Sequence, residues 1–220
     1  MKRLSPDVLR LYLVTDQSLM RGRPLADVVS AAVQGGVSCV QLREKHLGTR
    51  EFLAQALTLK KLLAPHRVPL VINDRIDIAL ACGAEGVHLG QSDLPVADAR
   101  KLLPPAVFIG WSVESMDEVL QSASLPVDYL GVSPVFATST KTDTQPAWGL
   151  EGLARVRAAT CLPLVAIGGI HAGNALEVMR AGADSLAVVS ALCAADDPHA
   201  AAVALRGLCD AALKSTGMNR

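Results

Sequence analysis

The chain has 220 residues, half of them hydrophobic and 3% aromatic, and its 21 basic and 21 acidic residues cancel to zero net charge. Neutrality gives no support to a nucleic-acid or polyanionic-membrane partner, so any basic site must be local. No run approaches the length of a membrane span, and "MKRLSPDVLR" lacks the apolar stretch of a signal peptide, so a soluble cytoplasmic protein is expected.

Short apolar runs alternate with segments of helical period. "LYLVTD" (11–16) reads as the first strand, and the helix "PLADVVSAAVQGG" follows, with Pro24 in its first turn. "CVQLREK" (39–45) is the second strand, and Thr49 is the expected N-cap of the helix after it. "PLVIND" (69–74) and "GVHLG" (86–90) are the third and fourth strands, each followed by a short helix. "VFIGWSV" (107–113) is the fifth, before a helix opened by Ser115 and Glu118 at capping-box spacing. "DYLGVSPVF" (128–136) is the sixth, and the polar loop "ATSTKTDTQPAWG" leads into its helix. "PLVAIGGI" (163–170) is the seventh, followed by a helix with Asn174 as N-cap, and "SLAVVSA" (185–191) is the eighth. An Ala-rich helix ends the sequence. Strands alternating with helices imply a parallel sheet. Eight such units in this length imply a single α/β domain over residues 1–220, a (β/α)8 TIM barrel, with an open doubly wound sheet as the alternative.

The five cysteines (Cys39, Cys82, Cys161, Cys193, Cys209) form no CxxC pair, and three sit in apolar or helical context as small hydrophobes. Neither a structural disulfide nor a zinc site is expected.

Polar residues gather at the C-terminal ends of the strands: Asp16, Arg43 and Lys45, Asn73 and Asp74, His88 with Gln91 and Asp93, Ser112, Thr138 to Lys141, Gly168 and Gly169, and Ser190. In a barrel these positions converge on the mouth where active sites lie. In "CVQLREKH", Gln41, Arg43 and Lys45 alternate with Val40 and Leu42, so one face of the strand carries an amide and two cations.

"AIGGIHAGN" places two glycines before a helix N-terminus, and "VVSALC" offers a hydroxyl at the next helix start. Loops after strands seven and eight are the usual phosphate seat of such barrels. The competing reading is that Gly168 and Gly169 serve only a tight turn. Arg43, Lys45 and Lys141 suggest a second anion site. Asp74 and Asp93, on adjacent strands, suit an oxygen cage around Mg²⁺ shared with a diphosphate. The competing reading pairs Asp74 with Arg75 and makes Asp93 a helix cap. GxSxG, HExxH, Walker A and GxGxxG patterns are absent, and His66, His88, His171 and His199 read as structural or solvated. Anion clamps without a nucleophile suit a reaction whose leaving group is diphosphate and whose catalysis is charge stabilisation.

The stretches "YLVTD", "QLREK", "NDRIDIALACGAEGVHLGQSDLP", "STKTD", "AIGGI" and "VVSA", in this order and spacing, resemble the thiamine phosphate synthase family over nearly the whole chain. The resemblance implies a (β/α)8 barrel that joins a hydroxymethylpyrimidine diphosphate to a thiazole phosphate, with loss of diphosphate before the thiazole nitrogen attacks. It implies that Gln41, Leu42, Arg43, Glu44, Lys45, Asn73, Ser112 and Lys141 bind the pyrimidine diphosphate, with Arg43 and Lys141 stabilising the leaving group. Thr138, Ser139, Thr140, Gly169, Val189 and Ser190 are implied to bind thiazole phosphate, and Asp74 and Asp93 to bind Mg²⁺. The loop after strand six departs from the family pattern at Ala137 and Ser139, and is expected to act as a lid.

A thiazole tautomerase on the same barrel would need no diphosphate–Mg²⁺ site. A barrel isomerase or synthase of tryptophan biosynthesis would need an acid/base pair. A noncatalytic thiamine-phosphate binder would need no leaving-group site. Small-molecule substrates are the expected partners, with no nucleic acid and no membrane; whether the chain is a homo-oligomer is left open.

Overall fold

Alternation along each strand sorts its side chains between two layers. The computed structural model describes residues 6–137 and 146–215. The strands are β1 (Leu11–Val14), β2 (Cys39–Leu42), β3 (Leu70–Asn73), β4 (Gly86–Leu89), β5 (Phe108–Val113), β6 (Tyr129–Val132), β7 (Leu164–Ile167) and β8 (Ser185–Val188). Each pairs in parallel with its sequence neighbour, and β8 returns to β1, closing the barrel. Between them run α1 (Leu25–Gln34), α2 (Thr49–Leu63), α3 (Ile76–Cys82), α4 (Val96–Leu102), α5 (Met116–Gln121), α6 (Gly149–Ala159) and α7 (Ala175–Arg180). After β8 come α8 (Ser190–Cys193) and α9 (Pro198–Ser215). Among the described residues no helix is long and apolar enough to cross a membrane.

Outward-facing Leu11, Leu13, Val40, Leu42, Leu70 and Ile72 belong to the layer between barrel and helices. Helix α2 presents Phe52, Ala56, Leu59 and Leu63 to it, the spacing of one helical stripe. Burying a leucine side chain there contributes about 1.5–3 kcal/mol. Inward-facing Tyr12, Val14, Cys39, Val71, Phe108, Tyr129 and Val165 form a second cluster inside the barrel.

The N-terminal face of the barrel carries a repeated device. The residue just before each even-numbered strand accepts the first free N–H of the odd-numbered strand beside it. Leu11 donates to Ser38 Oγ (3.0 Å), Leu70 to Glu85 Oε2 (3.0 Å), Ile109 to Asp128 Oδ2 (2.8 Å) and Leu164 to Asp184 Oδ2 (2.8 Å). Arg157 of α6 also donates to Asp184, tying helix to strand. The Ser38 hydroxyl and these three carboxylates satisfy strand-end donors that would otherwise lack a partner.

Several boundaries differ from the sequence reading. Strand β2 stops at Leu42 because the Arg43 N–H turns to the Thr15 hydroxyl (3.1 Å). Strand β8 stops at Val188, and Ser190 opens α8 instead. Gly48, not Thr49, is the N-cap of α2, and the Thr49 hydroxyl accepts from Arg75. Asn174 occupies the N-cap position of α7, but its side chain reaches back, accepting from the His171 N–H and donating to the Gly169 carbonyl. The Ser115–Glu118 capping box is present as expected.

Candidate active site

Because Gln41 shares the inward parity of Cys39, its amide lies inside the barrel, 4% exposed. Just past the strand end, Arg43 and Lys45 keep that direction and line a cavity of about 300 Å³ at the C-terminal mouth. Among the described residues no carboxylate pairs with the Arg43 guanidinium. Lys45 Nζ lies 2.7 Å from Asp74 Oδ2.

Asp74 follows β3 with φ of +63°, a left-handed conformation that aspartate tolerates better than most residues. Its N–H donates to the His88 carbonyl (2.9 Å), which fixes the turn and leaves the carboxylate in the cavity wall. Asp93 arrives from the loop after β4, where its Oδ2 accepts the Gly90 N–H (2.7 Å). Burial pushes the Asp93 carboxyl up, the Gly90 N–H pulls it back, and the carboxylate of Asp74 adds to the rise. Two acidic groups thus meet at one point of the wall. Neither local alternative from the sequence holds. Arg75 pairs with Asp77 (2.6 Å) and not with Asp74, and the N-cap of α4 is Pro95, with no side-chain cap from Asp93.

The opposite wall comes from β7 and β8. Gly168 and Gly169 have φ of +104° and +64°, and both line the cavity with Val189 and Ser190. A Cβ on Gly168 would lie 2.7 Å from Pro134 Cβ, and one on Gly169 would lie 2.8 Å from Phe136 Cβ. These glycines therefore serve a turn and a close approach to the segment after β6, besides facing the cavity. Asn73 and Ser112 complete the match between expected and observed lining residues.

Two expected contacts fall elsewhere. Leu42 is fully buried on the helix side, by strand parity. Glu44 points out of the cavity and accepts from Gln17 Nε2 (2.6 Å). Asp16 is also local, accepting the N–H and hydroxyl of Ser18. Thr138, Ser139, Thr140 and Lys141, and with them the expected lid, lie outside the described residues.

The cavity floor holds two tyrosines that the sequence reading did not single out and a histidine that it read as structural. Tyr12, His88 and Tyr129 line it beside Gln41 and Ser112. Gln41 Nε2 donates to the Tyr12 hydroxyl (3.0 Å), which lies 3.0 Å from the Tyr129 hydroxyl. Tyr129 bonds His88 Nδ1 (2.9 Å), and His88 Nε2 bonds Ser112 Oγ (2.8 Å). Burial pushes both phenols well above their ordinary range, so both stay protonated. The available signal was strand parity: Tyr12 and Tyr129 are the two tyrosines of the chain, and both sit at inward positions.

Barrels of this architecture carry their chemistry at the C-terminal mouth. Here the free guanidinium, the paired carboxylates and the glycine turn all converge on that mouth, which makes the chain a (β/α)8 barrel enzyme. The thiamine monophosphate synthase family model matches residues 11–192. A thiamine-phosphate synthase of Albidiferax ferrireducens is 76% identical over 203 residues, spanning 92% of this chain and 93% of its own length. One from Chloroflexus aurantiacus is 52% identical over 199 residues, spanning 90% of this chain and 92% of its own. The solved thiamine phosphate pyrophosphorylase from Pyrococcus furiosus superposes with a TM-score of 0.87 at 37% identity, covering 94% of this chain and 98% of that one. The chain belongs to the thiamine monophosphate synthase family and is a transferase.

Proposed function

We propose that the enzyme condenses 4-amino-2-methyl-5-(diphosphomethyl)pyrimidine with thiazole phosphate, giving thiamine phosphate and diphosphate by a dissociative route. The bond from the pyrimidine methylene carbon to the diphosphate oxygen breaks first, and its electron pair leaves with diphosphate. The aminopyrimidine ring delocalises the positive charge left on the methylene. The thiazole nitrogen then donates its lone pair to that carbon, forming the C–N bond. No protein nucleophile is required.

In this reading Arg43 and Lys45, which line the cavity, and Lys141 take the growing charge of the leaving group. Gln41, Asn73 and Ser112 hold the rest of the pyrimidine diphosphate. Gly169, Val189 and Ser190, with Thr138, Ser139 and Thr140, seat the thiazole phosphate. The observation that carries the proposal is the meeting of Asp74 and Asp93 beside Lys45. Two adjacent carboxylates carry more negative charge than the single Lys45 ammonium offsets, and hard oxygen donors suit Mg²⁺. Among the described residues no set of three or more His, Cys, Asp or Glu side chains is placed to hold a metal. Asp74 and Asp93 are the two side chains that would hold the ion, together with oxygens of the diphosphate. Held there, Mg²⁺ would supply charge neutralisation for the diphosphate. A cytoplasmic setting is part of the same proposal.

The test is formation of thiamine phosphate and diphosphate from both substrates. Equal amounts of the two products support the synthase. Thiazole phosphate binding without product formation points to a tautomerase-like or noncatalytic protein.

A further inference from the structure

Five strands contribute to the polar chain that crosses the barrel floor, and its members are linked end to end. With Gln41 donating its amide N–H to Tyr12, the Tyr12 proton goes to the Tyr129 oxygen 3.0 Å away, because the thiol of neighbouring Cys39 is a weak acceptor. Tyr129 then donates to His88 Nδ1. That places the His88 proton on Nε2, where it is donated to Ser112 Oγ. The groups left for the cavity include the Gln41 Oε1, an acceptor, and the Ser112 hydroxyl, a donor. With each tyrosine spending its one proton inside the chain, reversing the sense at one bond reverses all of them, and such chains reinforce their own polarity.

The barrel is shaped around this chain. A Cβ on Gly110 would collide with the Tyr129 ring, and one on Gly131 would lie 2.9 Å from His88 Cε1. The His88 and Tyr129 rings also stack, with centroids 5.5 Å apart. Two inward positions are thus left without side chains where the relay passes.

We propose that Tyr12, Tyr129 and His88 are positioning residues that set Gln41 to accept and Ser112 to donate, and so select a ring that offers an amino N–H and a ring-nitrogen acceptor. This rests on the pyrimidine reading of the cavity. An aminopyrimidine presents that pattern, whereas its 4-oxo analogue presents a carbonyl acceptor and a ring N–H, the opposite sense.

The experiment measures calorimetric affinity for the aminopyrimidine diphosphate and for its 4-oxo analogue, in wild type, Tyr12→Phe, Tyr129→Phe and the double variant. Wild-type turnover with thiazole phosphate checks the function separately, so failure of the synthase reading is not confused with failure of the relay. Each single variant is expected to weaken aminopyrimidine binding about tenfold, the scale of one lost hydrogen bond. The 4-oxo affinity is expected to hold, so the preference narrows. The double variant is expected to lose no more than either single variant, as groups acting as a unit do. Where Tyr129→Phe folds poorly, Gly131→Ala displaces His88 while keeping every hydroxyl, and the same narrowing is expected. Additive losses with an unchanged preference would overturn the relay.

Discussion

Lys45 Nζ sits 2.7 Å from the Asp74 carboxylate, and Asp74 in turn meets Asp93. A cation from the segment after β2 thus balances a pair of acids carried by the two loops that follow β3 and β4. Asp93→Asn keeps the shape of this pair and removes one charge. It is expected to raise the Mg²⁺ concentration needed for half-maximal turnover at least about tenfold, on the scale of a charged contact. Thiazole phosphate affinity by calorimetry should stay near wild type. Unchanged turnover at limiting Mg²⁺ would remove Asp93 from the metal site.

Arg43 reaches the cavity with its charge uncommitted to any carboxylate among the described residues. Arg43→Ala should lower kcat/KM for the pyrimidine diphosphate by about 10²–10³, the usual effect of deleting one stabilising donor. Arg43→Lys should recover little, since an ammonium cannot reproduce two parallel N–H bonds to phosphate oxygens. Wild-type affinity for the pyrimidine diphosphate in Arg43→Ala would contradict this role.

Gly169→Ala meets both a left-handed backbone and the Phe136 Cβ at 2.8 Å. Strain of this kind costs about 1–3 kcal/mol. The variant should melt earlier and bind thiazole phosphate more weakly, with pyrimidine diphosphate affinity retained. Equal loss for both substrates would place the glycine outside the thiazole phosphate seat.

Asp184 tests the other face of the barrel. Its carboxylate holds the Leu164 N–H and Arg157, far along the strands from the mouth. Asp184→Ala should destabilise the fold by about 1–3 kcal/mol in chemical denaturation, the cost of stranding these donors, and leave kcat unchanged. A large fall in kcat with unaltered stability would refute the division between a structural face and a chemical one.

The thiols make a separate check on packing. Cys161 is exposed, whereas Cys39, Cys82, Cys193 and Cys209 are buried. Burial pushes Cys193 up to about 11 and Cys209 up to about 12. One thiol per chain should react quickly with an aromatic disulfide reagent at pH 8, and the remaining thiols only on unfolding. Fast labelling of more than one thiol in the native protein would contradict the core described above.

Much of the barrel could be read from the chain because its cause is local. Short apolar runs between segments of helical period mark the strands, and the parity of Gln41, Arg43 and Lys45 predicts one shared direction, which they take. What escaped depends on contacts distant in sequence. Tyr12 and Tyr129 meet across 117 residues, and nothing near either one announces the other. The strand-end role of Asp184 depends on Leu164 and Arg157, each 20 or more residues away. Caps slipped by one residue at Gly48 because the Thr49 hydroxyl was claimed by Arg75. Membership of Leu42 and Glu44 in the site came from a contiguous motif, and strand parity sends both away from the cavity.

The central claim is tested most directly by incubating the purified chain with both substrates, with and without Mg²⁺, and quantifying thiamine phosphate and diphosphate. The account predicts stoichiometric formation of both products, dependent on Mg²⁺. Folded protein that binds both substrates and forms neither product would contradict it.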